Sequence, residues 1–227
     1  MDAPKEHRNK YIIKYNKKTP LDTAIGVGGV DSYDLDATVD GRGSKGACHF
    51  FNKFNMNFPS NMFVAEYASR PPMAKIFYED VLMAAVFYGY PILIENNKYG
   101  IARYFEQRGY DNFLMDRPEH LKTSSASSKT KGIPSNSQDI IHSHAQAIEA
   151  YIHNHVGSNP DTGAMGKMYL NRTLEDWIGY RIDDRTKFDL TISSGLALLA
   201  AQKHKAEAPK ADFAQKTFFR RFKPIER

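Results

Sequence analysis

The fold is decided by the stretch Thr23-Ala-Ile-Gly-Val-Gly-Gly-Val-Asp31-Ser-Tyr-Asp34-Leu-Asp36, in which an apolar, glycine-rich run stops at a cluster of acids. Its β-branched residues favour a strand, and its glycines leave room for a helix or a ligand close to the backbone. A carboxylate at the end of a central strand is held by the sheet and still reaches solvent, as a metal ligand must. Asp31 has that position, although Asp also commonly begins a turn after a strand.

A second apolar run, Pro91-Ile-Leu-Ile-Glu95, also ends on an acid. Between the two runs, residues 73–88 have apolar positions at helical spacing and are followed by Gly89, a natural helix stop. Because crossover connections are right-handed, the second run should form a strand parallel to the first and beside it. Asp31 and Glu95 should then emerge at the same edge of the sheet.

The remaining pattern predicts an α/β fold with a mixed sheet, three antiparallel strands followed by parallel strands, flanked by helices. The other predicted strands are 47–54 after a glycine turn at 40–46, 61–68, a strand-like 112–115, and an edge strand at 167–170. The other predicted helices are 99–108, one that follows a capping box at Ser135-Asn-Ser-Gln138, a short one with Trp177, and a last one that begins near Asp189. We expect residues before 22 to form a linker or a short edge element.

Composition indicates an ordinary globular protein. The 227 residues are 41% hydrophobic and 25% charged, enough to bury the core of one domain. Cys48 is the only cysteine, which excludes an internal disulfide and suits a reducing compartment. No apolar run is long enough to span a bilayer, so we expect a soluble protein.

The excess of basic residues that gives the net charge of +5 lies at the end of the sequence. Residues 203–227 contain eight Lys or Arg and three Asp or Glu, whereas the preceding part has 23 of each. A neutral body with clustered carboxylates binds nucleic acid poorly by charge alone, so basic loops or this tail would have to supply phosphate contacts. Residues 117–137, rich in Ser, Thr and Lys, are either a solvated connection or a basic finger that contacts DNA through Lys122, Lys129 and Lys131.

Several other kinds of site are disfavoured. Gly41 to Gly46 lacks the spacing of a phosphate-binding P-loop, and an acid stands at Asp31 where a dinucleotide fingerprint needs its last glycine. Zinc is disfavoured because histidines two apart on a helix point in nearly opposite directions and no second cysteine is present, so exposed or capping histidines are expected. The histidines concerned are His142, His144, His153 and His155.

A third acid should come from the segment that leads into the last helix. Asp189 precedes a run of apolar and small residues, typical of a helix packed on a sheet, although a helix N-cap is the competing explanation for its carboxylate. Asp183 and Asp184 stand between Arg181 and Arg185 and can simply pair with them.

Three motifs carry a resemblance to a known family. They are Gly29-Val-Asp31-Ser-Tyr-Asp34, Ile94-Glu95-Asn96-Asn97-Lys-Tyr-Gly100 and Phe188-Asp189-Leu-Thr-Ile-Ser-Ser-Gly-Leu-Ala-Leu-Leu-Ala200. Together with the element order, they resemble the nuclease domain of tailed-bacteriophage large terminase subunits, in the ribonuclease H-like superfamily. The resemblance covers about residues 24–201. It implies a linker or extension at 1–22, a nuclease domain at 23–202 and a basic tail at 203–227.

The resemblance implies a metal-dependent endonuclease that cuts concatemeric double-stranded viral DNA during genome packaging, in the host cell cytoplasm. Two Mg²⁺ or Mn²⁺ ions about 4 Å apart would be bridged by Asp31 and completed by Glu95 and Asp189. Asp184 would be an auxiliary ligand, with Asp34, Asp36 and Asp183 in reserve. The expected partners are DNA, a packaging ATPase domain, the small terminase and the portal. The chain has no Walker motif, and we expect the isolated domain to be a monomer.

Two alternatives stay open at this point. The first is another ribonuclease H-like nuclease, of the junction resolvase or transposase type. The second is a module that binds DNA or a portal protein without cutting.

Overall fold

A four-stranded mixed sheet lies at the centre of the part of the chain that the computed structural model describes, residues 11–21, 24–34, 45–53, 60–97, 99–118, 131–134, 138–157 and 166–203. Its strands are β3 (Gly26–Asp31), β4 (Gly46–Asn52), β5 (Met62–Ser69) and β6 (Ile92–Ile94), in the spatial order β5-β4-β3-β6. β3, β4 and β5 are antiparallel neighbours, and β6 is parallel to β3. The predicted mixed α/β fold is confirmed at this level. Residues 40–44 of the predicted turn, Asp36, Lys122, Lys129 and residues 204–227 of the tail lie outside the described residues.

Within the described residues, five α-helices cover the two faces of this sheet. They are α1 (Ala74–Tyr88), α2 (Gly100–Gln107), α3 (Gln138–Tyr151), α4 (Asn171–Gly179) and α5 (Asp189–Lys203). α1 and α2 pack on one face in a cluster that includes Phe77, Phe105 and Phe113, while α3, α4 and α5 pack on the other around Leu196 and Trp177. α1 ends at Gly89, whose φ of 70° is the left-handed conformation that favours glycine, as the sequence indicates.

Alternation along the strands divides the core between the two faces. In β6, Ile92 and Ile94 belong to the cluster under α1 and α2, whereas Leu93 belongs to the cluster under α5. In β3, Val30 faces α1 and α2 in the same way. Cys48 on β4 is 1% exposed, and this burial raises the pKa of its thiol.

The close approach of α5 to β3 depends on Gly29. A Cβ at this position would stand 2.2 Å from the backbone nitrogen of Ala197 and 2.3 Å from the backbone oxygen of Ser193. Real Cβ atoms do not come so near to backbone atoms, so no other residue fits here unless the helix moves. The glycine thus lets α5 lie directly on the sheet.

Two predicted strands are absent, and the residues before 22 that are described form a small sheet of their own. Residues 11–20 form a separate antiparallel hairpin of β1 (Tyr11–Lys14) and β2 (Lys17–Pro20), joined to the body by an ion pair of Lys17 with Asp111 at 2.6 Å. Within 112–115, a 3₁₀ turn, Asp111–Phe113, replaces the strand, and Leu114 makes one parallel bridge to Ile92. Residues 167–170 form no strand, because Lys167 gives its N–H to the carbonyl of His155.

We expect Gly29→Ala to lower the free energy of unfolding by about 3 kcal/mol or more, because the added methyl group meets backbone atoms that cannot move alone. Gly157→Ala is the matched control, since Gly157 has a φ of −73° and no heavy atom within 4 Å of an added Cβ. Urea denaturation of the two variants measures the difference. Equal stabilities would show that α5 does not pack on β3 as described.

Candidate active site

Asp31 and Glu95 lie side by side at one edge of the sheet. Asp31 is the last residue of β3, and Glu95 directly follows β6. The backbone N–H of Glu95 donates to the carbonyl of Val30 at 3.0 Å, which continues the parallel pairing as far as the two acids. Asp31 is 5% exposed and Glu95 is 7% exposed, which is unusually low for carboxylates.

Both acids are on the face of the sheet that α5 covers. Side chains two apart along a strand share a face, so Asp31 follows Gly29, which contacts α5. Glu95 follows Leu93 in the same way, and Leu93 packs with the α5 cluster. Alternation therefore directs two carboxylates toward the helix that carries the third.

Asp189 joins this edge as the first residue of α5. Its Oδ2 accepts a hydrogen bond of 2.9 Å from the backbone N–H of Lys45. Lys45 directly precedes β4, in which Ala47 is the cross-strand partner of Asp31. The three predicted acids are thus brought to one edge of the sheet by β3, β6 and the start of α5.

The first turn of α5 is capped by a residue from α4. Oδ2 of Asp176 accepts from the backbone N–H of Thr191 at 2.7 Å and from its hydroxyl at 2.8 Å. The first N–H groups of a helix have no partner within the helix, and Asp176 satisfies one of them. Capping was the competing role for Asp189 in the sequence. In the structure, Asp176, which is outside the helix, makes a capping bond to α5.

The other predicted acids lie in different surroundings. Asp184 forms an ion pair with Lys187 and is half-exposed in the 3₁₀ segment Ile182–Lys187, and Asp183 beside it is exposed. Oδ1 of Asp34 accepts from the hydroxyl of Tyr78 at 2.9 Å and from the backbone N–H of Gly100 at 3.2 Å, which fixes it against α1 and α2.

The base of the basic loop is attached beside Glu95. Ile133 makes a parallel bridge to Glu95, and Asn96 donates from Nδ2 to the carbonyl of Lys131 at 3.0 Å. Lys131 also pairs with Asp116 across an antiparallel bridge, with 2.9 Å between Nζ and Oδ1. Asp116 and Lys131 therefore meet next to the sheet edge at which Asp31 and Glu95 lie.

The histidines do not form a metal site in the described part of the chain. His142 is exposed and its Nδ1 contacts the carbonyl of Gln138 at 2.8 Å. His144 departs from the expectation of exposed or capping histidines, because it is 3% exposed and packs against Gly195 of α5. No described residue forms a hydrogen bond with either of its ring nitrogens.

The carboxylates suit a hard divalent cation in chemistry and in backbone position. Mg²⁺ and Mn²⁺ prefer oxygen ligands, and Asp31, Glu95 and Asp189 share one edge. Among the described residues, however, no three His, Cys, Asp or Glu side chains stand close enough together to hold a metal ion. Oxygens of Glu95 and Asp189 are instead bonded by Asn97, at 3.3 Å, and by Lys45.

Two residues of this region were missed by the sequence reasoning. Asp176 gave no signal, since its partner Thr191 is brought to it only by the packing of α4 on α5. His49 did give a signal, as a single polar residue within the apolar run Ala47-Cys-His-Phe-Phe51.

Comparisons of the chain with models of protein families, with curated proteins and with solved structures found no match. Within the described residues, every helix is too short or too polar to cross a membrane.

We expect His144→Leu to flatten the loss of stability in acid. Burial, with a smaller effect of the positive charge of Arg185, lowers the pKa of His144 to about 4, below the usual value of 6.5. The unfolded chain then binds more protons below pH 6.5, so this contribution is complete above pH 6.5 and is lost as the pH falls toward 4. Denaturation at several pH values should show a slope smaller by at most about 1.4 kcal/mol per pH unit in the variant. If stability changed with pH equally in the variant and the wild type, the lowered pKa of His144 would be contradicted.

Proposed function

We propose that this chain is a metal-dependent endonuclease with a ribonuclease H-like fold, similar to the nuclease domain of tailed-phage large terminases. Its substrate would be concatemeric double-stranded viral DNA, cut during genome packaging in the host cell. The packaging ATPase, the small terminase and the portal belong to this proposal as partners.

One observation carries the proposal. Two almost fully buried carboxylates, Asp31 and Glu95, end neighbouring parallel strands on the same face, and Asp189 begins the helix that covers that face. Burial of a carboxylate is costly unless a charge partner or a metal compensates for it. Three acids gathered at one sheet edge supply the carboxylate oxygens that Mg²⁺ and Mn²⁺ prefer, which supports a bound cation.

Each of the three acids would have its own role in metal binding. Asp31, Glu95 and Asp189 would hold the two ions, with Asp31 as the proposed shared ligand. Bound Mg²⁺ or Mn²⁺ would supply Lewis-acid stabilisation for hydrolysis of a phosphodiester. The protein holds the acids on a rigid sheet, and the hydrogen bond from Lys45 orients Asp189. Asp184 remains an auxiliary candidate.

DNA would approach across the sheet edge that carries Asp31, Glu95 and Asp189 (the acid edge). Residues 117–137, the predicted basic loop, are attached beside it. Lys131 stands at the base of this loop, and Lys122 and Lys129 belong to it in sequence. Lysines here would contact DNA phosphates. These contacts would offset the repulsion between the phosphates and the carboxylates of the acid edge.

We expect Asp31→Asn and Glu95→Gln to abolish cleavage of plasmid and linear DNA in Mg²⁺ or Mn²⁺. Their melting temperatures should equal or exceed that of the wild type, because removal of one carboxylate relieves repulsion when no metal is bound. Glu149→Gln, an exposed position on α3, is the charge-matched control and should cut normally.

Cleavage at the wild-type rate by either variant would contradict the proposal that Asp31 and Glu95 are metal ligands. Assays on branched duplexes test the resolvase or transposase alternative, which preferential cutting of branches would favour. A wild-type protein that binds DNA but never cuts it would favour the module that only binds.

The identity of the third acid is tested by a pair of variants. Asp189→Asn should fold normally and be nearly inactive, because Asp176 still caps α5 whereas an amide is a poor ligand for Mg²⁺. Asp184→Asn should be less impaired, since Asp184 already pairs with Lys187. Cleavage rates measured at saturating Mn²⁺ should rank in this order, and the reverse order would move the third ligand to Asp184.

A further inference from the structure

A buried row of polar groups joins the sheet to α4 and α5. Gly29, His49 and Glu66 are cross-strand neighbours on β3, β4 and β5. His49 has no exposed surface, and its Nδ1 lies 2.8 Å from the Oγ of Ser193 on α5. Its Nε2 lies 2.7 Å from the Oγ1 of Thr173 on α4. One imidazole on the sheet therefore contacts both α4 and α5.

The carboxylate of Glu66, which can only accept, determines which groups in this row donate and which accept. Thr173 donates its only hydroxyl proton to Oε2 of Glu66 at 2.6 Å, so its oxygen must accept a proton from Nε2 of His49. Burial lowers the pKa of His49 to about 3, so the ring is neutral at pH 7. Nδ1 is then an acceptor for the hydroxyl of Ser193, and both ring nitrogens are satisfied.

Ser193 connects this row to the residue that carries the third carboxylate. Its Oγ is 2.9 Å from the backbone oxygen of Asp189 and 3.2 Å from that of Leu190. Because Nδ1 of His49 takes the single proton of this hydroxyl, the bond fixes α5 to the sheet at Ser193, four residues after Asp189. The first turn of α5 is thus held by His49 from the sheet and by Asp176 from α4.

We propose that His49 is a positioning residue for the active site, which acts through Ser193 to fix the first turn of α5 and with it the carboxylate of Asp189. This inference rests on the proposed function, since it assigns a purpose to the placement of Asp189. Hydrogen-bonded groups behind a metal ligand commonly change metal affinity or activity by about 10–100-fold when they are removed.

The test compares two adjacent serines of α5. Ser193 and Ser194 are both fully buried, but the hydroxyl of Ser194 accepts from Trp177 and donates to the carbonyl of Thr191, away from His49. Ser193→Ala should raise the dissociation constant for Mn²⁺, measured by calorimetry, by about 10-fold and slow DNA cleavage to match. Ser194→Ala should leave both within about 2-fold of the wild type.

A second pair of variants tests the other end of the row. Thr173→Val keeps the shape of the side chain and removes the hydroxyl between His49 and Glu66, whereas Thr173→Ser keeps the hydroxyl and loses a methyl group. Mn²⁺ affinity should fall in the valine variant and stay near that of the wild type in the serine variant. Equal affinities in the two variants, or a larger loss with serine, would contradict the proposal.

The outcomes separate this inference from the function that it assumes. If the wild type binds Mn²⁺ and cuts DNA, and Ser193→Ala does so equally well, the inference is overturned and the function stands. If the wild type does neither, the function fails, and the inference is judged by the NMR chemical shift of the Asp189 carboxyl carbon. That shift should move in Ser193→Ala and stay in Ser194→Ala, and the absence of this difference would overturn the inference.

Discussion

The contact of α5 with β3 at Gly29 is the constraint on which the rest of the structure depends. Because position 29 has no side chain, the backbone of α5 lies directly on the sheet, and the start of the helix reaches the edge where β3 and β6 end. The same contact brings Ser193 within 2.8 Å of the ring of His49. One missing side chain therefore allows both the gathering of the acids and the buried polar row behind them.

Much of this arrangement is predictable from local sequence. The runs that end at Asp31 and Glu95 read as strands because they are apolar and β-branched, and the helix between them ends at a glycine that adopts a positive φ. The parallel placement of the second strand follows from the handedness of crossovers, and the structure has that placement. Local signals of this kind need no knowledge of distant residues.

The remaining features depend on contacts between residues far apart in the chain. Asp176 meets Thr191 only because α4 packs on α5, and His49 meets Thr173 across 124 positions. The sequence placed His144 among exposed or capping histidines, whereas α3 turns it toward the glycine of α5 at position 195. Segment 112–115 is not a strand because a 3₁₀ turn leaves only one bridge to β6, and in segment 167–170 the N–H of Lys167 bonds to the helical segment at His155.

The burial of Cys48 has a practical consequence for chemical labelling. Alkylating reagents react with the thiolate, and in this protein the one thiol is both shielded by the sheet and held in its protonated form. A cysteine introduced on the surface would then carry the single reactive thiol of the folded chain. Fluorophores or spin labels could be attached at chosen points of the acid edge without first removing the native thiol.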